Sequence, residues 1–435
     1  MRMQDLVLIS VDDHAVEPPG CFEGRVPARF AARAPRIARN AQGHDVWLYE
    51  GREVPNIGLN AVSGRPPEDY GMEPTSYEQI RRGTWDVAAR LEDMSANGVL
   101  ASLCFPSFPS FCGKLFLGTP DRDFALAVLQ AYNDWHLEEW CAADPGRFIP
   151  MVVLPLWDPA LAARELVRCT RRGARAFTML ENPESAGLPS FHDLAHWSPL
   201  WRACSDERAV VCIHIGTGKE LPTPSLETPI VASMAATPLA IGSCAADLIF
   251  SQVPQRFPEL RFALSESGIG WIPYFLERCD YVQQQHRGWT HTDLGGMRPS
   301  EVFQRQFMSC FFQDRAGILL REQIGVERIA WECDYPHSDS TWPRSPEQLW
   351  ECLAGVPDDE IELITHRNAM RWWGFDPFAR RARERCSVGA LRAEAAGVDT
   401  DYHTAGEGSR PLAAGLRRTV TVGDVRRQLA AAMDG

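Results

Sequence analysis

The chain has 435 residues and a formal net charge of −13, and it is 45% hydrophobic and 23% charged. This balance is typical of a globular protein with a large core, and the acidic charge argues against a nucleic-acid surface. The sequence has no uninterrupted run of about 18 apolar residues and no signal-peptide pattern, which argues against a membrane span or secretion. Its 13 cysteines contain no Cys-x-x-Cys pair, as in a cytoplasmic protein with reduced thiols.

The first predicted strand is followed by a long insertion. Residues 6–14 form a continuous apolar run that ends in polar residues, as in a parallel strand covered on both faces. Residues 35–83 are irregular, except that Glu50-Gly51 predicts a hairpin turn between two short strands. We interpret 35–83 as a lid or pocket wall over the end of the first strand.

From residue 85 onward, predicted helices and strands alternate regularly. The helices are predicted at 85–97, 121–142, 159–172, 197–208, 238–253, 269–286 and 315–325, and the strands at 99–105, 148–154, 174–180, 209–213, 260–264, 307–312 and 328–333. Eight strand–helix units match an α/β fold of the closed (β/α)8 TIM barrel type. No Gly-rich phosphate turn follows an early strand, which argues against an open dinucleotide-binding sheet.

The domain prediction has two parts. Three further helices, at 346–353, 358–365 and 367–373, complete a barrel domain that spans 1–377. Residues 378–435 are predicted to be a C-terminal helical extension that docks on a partner subunit or is partly disordered.

Polar residues end several of the predicted strands. Asp12 and His14 end the first strand and share a face, because side chains alternate along a strand. His214 ends the fifth strand, Glu266 the sixth and Asp334 the eighth. In such a barrel these ends meet at one mouth. Two imidazoles with two or three carboxylates there predict a divalent metal site suited to Zn²⁺ or Mn²⁺.

Four neighbouring residues have less specific patterns. His337 either reaches the substrate or a metal-bound water, or it holds its loop by bonding a backbone group. Asp13 lies on the opposite face of the first strand, and we interpret it as structural. Glu181 ends the fourth strand and is a candidate to point into the mouth. Lys219 follows the fifth strand, where it neutralises a substrate anion or is simply exposed.

Five segments resemble the amidohydrolase-related family, the group that includes aminocarboxymuconate-semialdehyde decarboxylase and γ-resorcylate decarboxylase. They are SVDDH at 10–14, VCIHIG at 211–216, LSESG at 264–268, WECDYPH at 331–337 and NAMRWWGF at 368–375. The resemblance implies one divalent metal ion, with Zn²⁺ preferred to Mn²⁺, a small-molecule substrate and a homodimer.

The resemblance also implies a residue for each role. The metal ligands fall on Asp12, His14, His214 and Asp334, and the catalytic residues on Asp334, Glu266 and His337. One position departs from the family, because its decarboxylases carry a proton-transferring histidine at the end of the sixth strand and this chain has Glu266.

Two chemistries fit this set of residues. The first is hydrolysis of a small aromatic or carboxylate-bearing substrate by metal-activated water, with Asp334 as the base. The second is non-oxidative decarboxylation, with Glu266 or Asp334 as the proton donor. An ordinary glutamate is ionised at neutral pH, so Glu266 in place of histidine favours hydrolysis narrowly. A non-catalytic barrel scaffold is a third interpretation, but the four competent ligand positions argue against it.

Overall fold

The computed structural model describes residues 1–55, 57–58, 60–71, 76–218, 223–403 and 418–427. The strands in these ranges are β1 (Ile9–Ala15), β2 (Arg36–Arg39), β3 (Asp45–Tyr49), β4 (Arg52–Val54), β5 (Ala101–Pro106), β6 (Met151–Val152), β7 (Ala176–Met179), β8 (Val210–His214), β9 (Arg261–Ser265), β10 (Phe307–Phe311) and β11 (Ile329–Trp331).

The same ranges contain α-helices of very different lengths. They are α1 (Val87–Asn97), α2 (Lys114–Leu117), α3 (Arg122–Trp135), α4 (Pro159–Thr170), α5 (Leu194–Glu207), α6 (Ile230–Phe250), α7 (Val253–Arg256), α8 (Ile272–Thr290), α9 (Pro299–Gln306), α10 (Arg315–Leu319), α11 (Arg321–Ile324), α12 (Ser345–Cys352), α13 (Asp358–Glu362), α14 (Asn368–Trp373) and α15 (Val388–Glu394). A π-helical turn continues α3 at His136–Trp140, and another lies between α13 and α14 at Leu363–Arg367.

The eight parallel strands β1 and β5 to β11 form the predicted (β/α)8 barrel. Strands β6 to β11 are hydrogen-bonded in order, and β1 pairs with β5. A parallel bridge between Ser102 and Phe148 joins β5 to the segment that leads into β6. On the other side, the Asp334 N–H donates to the Asp12 carbonyl at 2.8 Å and the His14 N–H donates to the Tyr335 carbonyl at 2.7 Å. These contacts close the barrel between β1 and the segment after β11.

A β-bulge changes which face of β1 points inward. The β1–β5 ladder pairs Ile9 with Ala101 but His14 with Phe105, so one extra residue is accommodated between Ser10 and Asp13. Before the bulge, Ile9 belongs to the apolar cluster that fills the barrel, together with residues such as Cys212 and Ala330. After it, Asp12 and His14 occupy the mouth.

Capping aspartates mark where several of the helices begin. Aspartates precede α1, α3, α4, α5 and α10, and each accepts a hydrogen bond from a backbone N–H of the first turn. At its other end, α1 stops at Gly98, whose left-handed φ of 78° suits a residue without a side chain.

The structure departs from the predicted helices in several places. The helix predicted at 238–253 begins eight residues earlier, because Pro238 lies inside α6 instead of starting it. The helix predicted at 315–325 is divided into α10 and α11. The short helix α9 was not predicted. Proline and polar residues within these segments hid the helical periodicity.

The insertion contains a small antiparallel sheet and packs over the barrel mouth. Strand β3 pairs with both β2 and β4, and the predicted hairpin turn is present at Glu50-Gly51, where both residues have positive φ. Further along, the Val62 and Ser63 N–H groups both donate to the Pro336 carbonyl, at 3.0 and 2.9 Å. The insertion therefore holds the loop that follows Asp334.

The first part of the C-terminal extension packs on its own chain. The Val388 N–H donates to the Leu6 carbonyl at 2.8 Å, and Val388 and Leu391 of α15 are fully buried. Arg392 of α15 forms an ion pair with Glu347 of α12. Residues 404–417 and 428–435 of the predicted extension lie outside the described residues.

The surface helix α6 has the length and apolar composition of a membrane-spanning helix, although 39% of its most apolar stretch is buried inside the protein. Ile241, Ala245, Leu248 and Ile249 are its fully buried hydrophobic residues. Serine, threonine, glycine and proline residues are spread among the apolar residues of α6. The sequence of this continuous helix therefore shows no uninterrupted apolar run. All thirteen cysteines are free and buried, as predicted.

Candidate metal centre

The six predicted site residues meet at the C-terminal mouth of the barrel. Asp12 and His14 come from β1 and His214 from β8, while Glu266 directly follows β9 and Asp334 and His337 follow β11. Asp12, His14, His214 and Asp334 are each at most 1% exposed, and His337 is 6% exposed. The cluster is therefore almost fully withdrawn from solvent.

Short distances link these side chains. His14 Nε2 lies 3.5 Å from both Asp12 Oδ1 and Asp334 Oδ1, and 3.2 Å from His214 Nε2. His214 Nε2 lies 3.6 Å from Asp12 Oδ2. A tetrahedral Zn²⁺ with ligands at 2.0–2.2 Å would separate those ligands by about 3.4 Å. Asp12, His14 and His214 are therefore close enough to share one ion, and Asp334 lies next to His14.

Two of the site carboxylates sit at sharp backbone turns. Glu266 has φ of 53° and Asp334 has φ of 58°, both in the left-handed region that residues with side chains seldom adopt. In each case the turn comes at the end of a barrel strand and directs the acid into the mouth. Such conformations cost free energy and are concentrated at functional sites.

The histidines are in the state that metal binding requires. Burial, and to a smaller degree the neighbouring His337 and His214, lowers the pKa of His14 well below its usual value. Burial also lowers the pKa of His214. His214 Nδ1 lies 2.6 Å from the Ile215 carbonyl and donates to it, so Nε2 keeps a free lone pair. Both imidazoles are thus neutral at physiological pH, with Nε2 available.

The carboxyl groups of the site differ in the direction of their pKa shifts. Burial and the neighbouring acids raise the pKa values of Asp12 and Asp334 well above the usual range. Burial would also raise the pKa of Glu266, but His214 and His337 lower it to about 2. The pKa values of Asp334 and Glu266 are therefore shifted in opposite directions.

The buried carboxylate oxygens of Asp12 and Asp334 indicate that the site fits a bound cation. Both carboxylate oxygens of Asp12 are buried without a hydrogen-bond partner among the described residues, and the buried oxygens of Asp334 have only His337 Nδ1, 2.9 Å from Oδ1, at a short distance among the ion pairs of those residues. Buried acids without partners are costly, and a divalent cation would satisfy all four oxygens. Nitrogen and carboxylate donors together suit Zn²⁺ or Mn²⁺. The predicted ligand set can hold such an ion.

The structure adds two residues that sequence reasoning missed. Glu332 is fully buried, accepts from the Glu266 N–H at 3.3 Å, and contributes to the raised pKa of Asp12. Its position two residues before Asp334 was a usable signal, since alternate residues share a face. Phe111 lies in the loop after β5, with its ring centroid 4.8 Å from that of His14 and 4.4 Å from that of His214. No sequence pattern indicated this contact.

Asp13 has the structural role predicted for it. Its Oδ1 accepts from Ser10 Oγ and from the Tyr335 N–H, both at 3.0 Å, and its Oδ2 accepts from Ser102 Oγ. Asp13 therefore ties β1 to β5 and to the loop that carries Asp334. The buried Arg90 of α1 adds a second tie, because it donates to the carbonyl of His14.

The structure describes the position of Glu181 but not that of Lys219. Glu181 lies beside the site but not in the cluster, and its Oε2 accepts from the Gly218 N–H at 2.7 Å. It lines a cavity of about 880 Å³ together with Lys114, His192 and Asp247, and none of the six cluster residues lines that cavity. Lys219 lies outside the described residues.

Glu17 fixes the loop that carries Phe111, and its titration gives a pH prediction. Its carboxylate accepts from the Ser107 and Phe108 N–H groups at 3.0 and 2.7 Å, and burial raises the pKa of Glu17 to about 7. Between roughly pH 4.5 and 7 the folded protein holds this proton and the unfolded chain does not, so Glu17 destabilises the fold as pH rises. Relative to the wild type, Glu17→Gln should gain about 3 kcal/mol of unfolding free energy across this range.

Urea unfolding measured from pH 4.5 to 7.5 tests this expectation. The exposed Glu23→Gln is the matched control, and its unfolding free energy should follow the wild-type profile. Parallel profiles for the wild type and Glu17→Gln would contradict the prediction.

Comparison with known proteins agrees with this geometry. The family model described as amidohydrolase matches residues 44–375. γ-Resorcylate decarboxylase of Rhizobium sp. (strain MTP-10005) is 25% identical over 354 residues, covering 76% of this chain and 98% of that protein. 2-Amino-3-carboxymuconate-6-semialdehyde decarboxylase of Dictyostelium discoideum is 25% identical over 310 residues, covering 69% of this chain and 80% of that protein.

A solved structure supports the fold. 5-Carboxyvanillate decarboxylase of Novosphingobium aromaticivorans, in complex with manganese and 4-hydroxy-3-methoxy-5-nitrobenzoic acid, superimposes with a TM-score of 0.59 at 16% identity. The match covers 86% of this chain and 99% of that one. These relatives are decarboxylases, so they support the second chemistry of the sequence analysis better than the first, hydrolysis.

Proposed function

Because the chain belongs to the amidohydrolase family, we propose that it is a metal-dependent, non-oxidative decarboxylase of a small aromatic acid. The observation that carries this proposal is the buried Asp334, which lies 3.5 Å from His14 Nε2 and 2.9 Å from His337 Nδ1 in a chain whose relatives are decarboxylases. Decarboxylation needs a general acid that is still protonated near neutral pH. Sequence analysis favoured hydrolysis because Glu266 would be ionised, and the raised pKa of Asp334 supports Asp334 as the proton donor instead.

The bound cation is proposed to be one divalent ion, Zn²⁺ or Mn²⁺, held by Asp12, His14, His214 and Asp334. When bound, it would anchor the substrate carboxylate and neutralise charge that develops during the reaction. The decarboxylase from Novosphingobium contains manganese, which supports Mn²⁺ as a candidate here.

The side chains perform the proton chemistry. The bond between the ring carbon and the carboxylate breaks, CO₂ leaves, and the electron pair remains on the ring carbon. Asp334 donates its proton to that carbon. His337, whose Nδ1 lies 2.9 Å from Asp334 Oδ1, returns a proton from solvent to Asp334. Glu266 Oε1 lies 3.8 Å from the same nitrogen, so a second acid borders this proton path.

Product analysis with a substrate panel tests the proposal. The protein loaded with Mn²⁺ or Zn²⁺ is incubated with aromatic acids that carry a neighbouring hydroxyl group, and with esters, lactones and amides. CO₂ release from an aromatic acid, abolished by a chelator and restored by the metal, is the expected result. Hydrolysis of a panel member without CO₂ release would overturn the proposal in favour of the first chemistry. A metal-free protein without activity on the panel would favour a scaffold.

Phe111 is expected to bind the aromatic ring of the substrate. Its half-buried ring lies against His14 and His214, with its centroid 5.9 Å from that of His337. Stacking between aromatic rings contributes about 0.5–1.5 kcal/mol beyond area burial. Phe111→Ala should therefore raise KM about 10-fold and leave kcat within about twofold, because the proton-transfer groups are unchanged.

Steady-state kinetics on the substrate identified by the panel measures both constants. Phe111→Tyr keeps the ring and is the conservative control, with KM near that of the wild type. An unchanged KM in Phe111→Ala would contradict the assigned contact.

A further inference from the structure

A cavity of about 360 Å³ lies at the opposite end of the barrel from the metal centre. Its lining includes Arg261, which begins β9, and Arg328, which directly precedes β11. Glu266 and Asp334 follow the other ends of the same two strands. About 16 Å of extended chain separates Arg261 from Glu266, so the cavity and the metal centre are distinct sites.

Positive side chains dominate the lining of this cavity. Two exposed glutamates, Glu259 and Glu327, line it together with four arginines, which are Arg261, Arg305, Arg328 and Arg371. The arginines outnumber the acids in a chain whose net charge is −13. A cleft lined mainly by one sign of charge raises the local concentration of the opposite ion. We call this site the arginine cavity.

Neutral acceptors hold the arginines in place. Arg261 Nη1 donates to the Trp372 carbonyl at 2.8 Å, and Arg305 Nη2 donates to the Pro254 carbonyl at 2.7 Å. Arg328 donates through Nε to another backbone carbonyl. A carbonyl fixes the direction of a guanidinium group but does not neutralise its charge. The arginines are therefore ordered and still require an anion.

Acidic side chains of the chain compensate little of this charge. Among the ion pairs of the described residues, the one that includes any of the four arginines joins Arg371 Nη1 to Glu327 Oε1 at 3.7 Å. Both of its side chains are more than half exposed, and such pairs contribute little stability. Burial lowers the pKa of Arg328, Glu327 opposes this shift, and the positive charges of Arg371 and Arg261 add to it. Like charges are thus close together in a partly buried site.

Trp372 fixes the mutual arrangement of two of these guanidinium groups. Its ring, in a residue only 7% exposed, lies 5.2 Å from Arg328 Cζ and 5.7 Å from Arg261 Cζ, measured from the ring centroid. Both distances are those of cation–π contacts. Planar guanidinium groups held in this way are suited to bind the oxygens of a phosphate group in pairs.

We propose that the arginine cavity binds a phosphate group, either as free phosphate or as part of a small phosphate ester. A phosphate group carries about two negative charges at neutral pH, which match the excess of arginines over acids. Its oxygens can accept from several guanidinium groups at once. Bound there, it would join β9, β11 and α14 and stabilise the fold by mass action. The proposal does not depend on the metal or on the reaction proposed above.

Isothermal titration calorimetry on the full, metal-loaded chain tests the proposal. Inorganic phosphate, glycerol phosphate and succinate are titrated separately, in a phosphate-free buffer of constant ionic strength. Saturable binding of one phosphate per chain is expected. Tighter binding of glycerol phosphate would identify an ester as the ligand, and equal binding would identify free phosphate. Absence of saturable phosphate binding, or tighter binding of succinate, would overturn the proposal.

Single substitutions assign the phosphate to the arginine cavity. Arg328→Gln and Arg371→Gln each remove one positive charge and should weaken phosphate binding about 10-fold, since hydrogen bonds between charged groups are lost. The control Arg164→Gln removes an exposed arginine of α4, and its affinity should equal that of the wild type. Wild-type affinity in both Arg328→Gln and Arg371→Gln would overturn the assignment. Circular dichroism verifies that each variant is folded.

A titration of the chelator-treated protein separates this site from the metal centre. Phosphate also binds divalent metal ions, so binding at the metal centre would be lost when the metal is removed. The arginine cavity contains no predicted metal ligand, and its affinity for phosphate should be unchanged by the chelator. Loss of phosphate binding together with the metal would overturn the proposal.

Discussion

Asp334→Asn is expected to lower kcat for CO₂ release by about 10³-fold, within the range that general acid catalysis contributes. Asparagine keeps the size of the side chain and one carbonyl oxygen, but it has no proton to transfer to carbon. The amide oxygen of asparagine can still accept from His337 Nδ1, which lies 2.9 Å from Asp334 Oδ1, so the replacement should not weaken the fold. The loss should therefore appear in kcat, with the thermal unfolding midpoint little changed.

Two measurements separate a catalytic loss from a loss of metal. Elemental analysis of Asp334→Asn should show metal still bound by Asp12, His14 and His214. The control Glu165→Gln makes the same kind of change at a buried acid far from the mouth, and its kcat should remain near that of the wild type. More than a tenth of wild-type kcat in Asp334→Asn would refute the role of Asp334 as proton donor.

Arg90→Met is expected to have the largest effect on stability, about 3 kcal/mol or more of unfolding free energy. Arg90 is fully buried, and it donates to the carbonyls of Gly83 and His14 while its guanidinium lies 4.4 Å from the ring centroid of Tyr335. Methionine fills part of the space but leaves these carbonyls without a donor, at about 1–3 kcal/mol each. It also removes the positive charge that counteracts the burial of Asp13.

Urea unfolding of the metal-free protein measures this effect. Arg82→Met is the matched control in the turn that precedes α1, where the exposed Arg82 forms an ion pair with Asp86. Such pairs contribute little, so its unfolding free energy should change by less than about 1 kcal/mol. A loss of less than 1 kcal/mol in Arg90→Met would show that Arg90 is not a structural tie between α1 and β1.

The barrel could be predicted from the sequence because its strands are buried on both faces. Continuous apolar runs such as 6–14 and 209–213 end abruptly in polar residues, and those ends identified Asp12, His14 and His214. The helix boundaries were less accurate where helices contain proline, as in α6. The region 35–83 was identified as an insertion, but its contact with Pro336 depends on tertiary packing that no local pattern encodes.

Sequence analysis narrowly favoured hydrolysis, whereas the relatives support decarboxylation better. The difference has an electrostatic reason. Sequence analysis named Glu266 or Asp334 as the proton donor and gave weight to Glu266, which is ionised at the ordinary pKa of a glutamate. In the structure the histidines around Glu266 lower its pKa to about 2, while burial and the other acids raise that of Asp334. The distribution of protons among six neighbouring groups depends on distances in three dimensions. The same limit applies to Phe111, whose position against His14 and His214 is set by a loop.

Because of the bulge in β1, the metal centre depends on how many residues separate the apolar run from the ligands, as well as on which residues the ligands are. With the unbroken alternation of an ordinary strand, the inward face that starts at Ile9 would continue through Val11 and Asp13. Asp12 and His14 would then point toward the surrounding helices, and the barrel would be capped by Asp13 alone. Two related chains with every ligand in place can therefore differ in metal binding through a one-residue insertion or deletion. In a search for relatives with the same chemistry, the spacing between the apolar run and Asp-x-His is as informative as the motif.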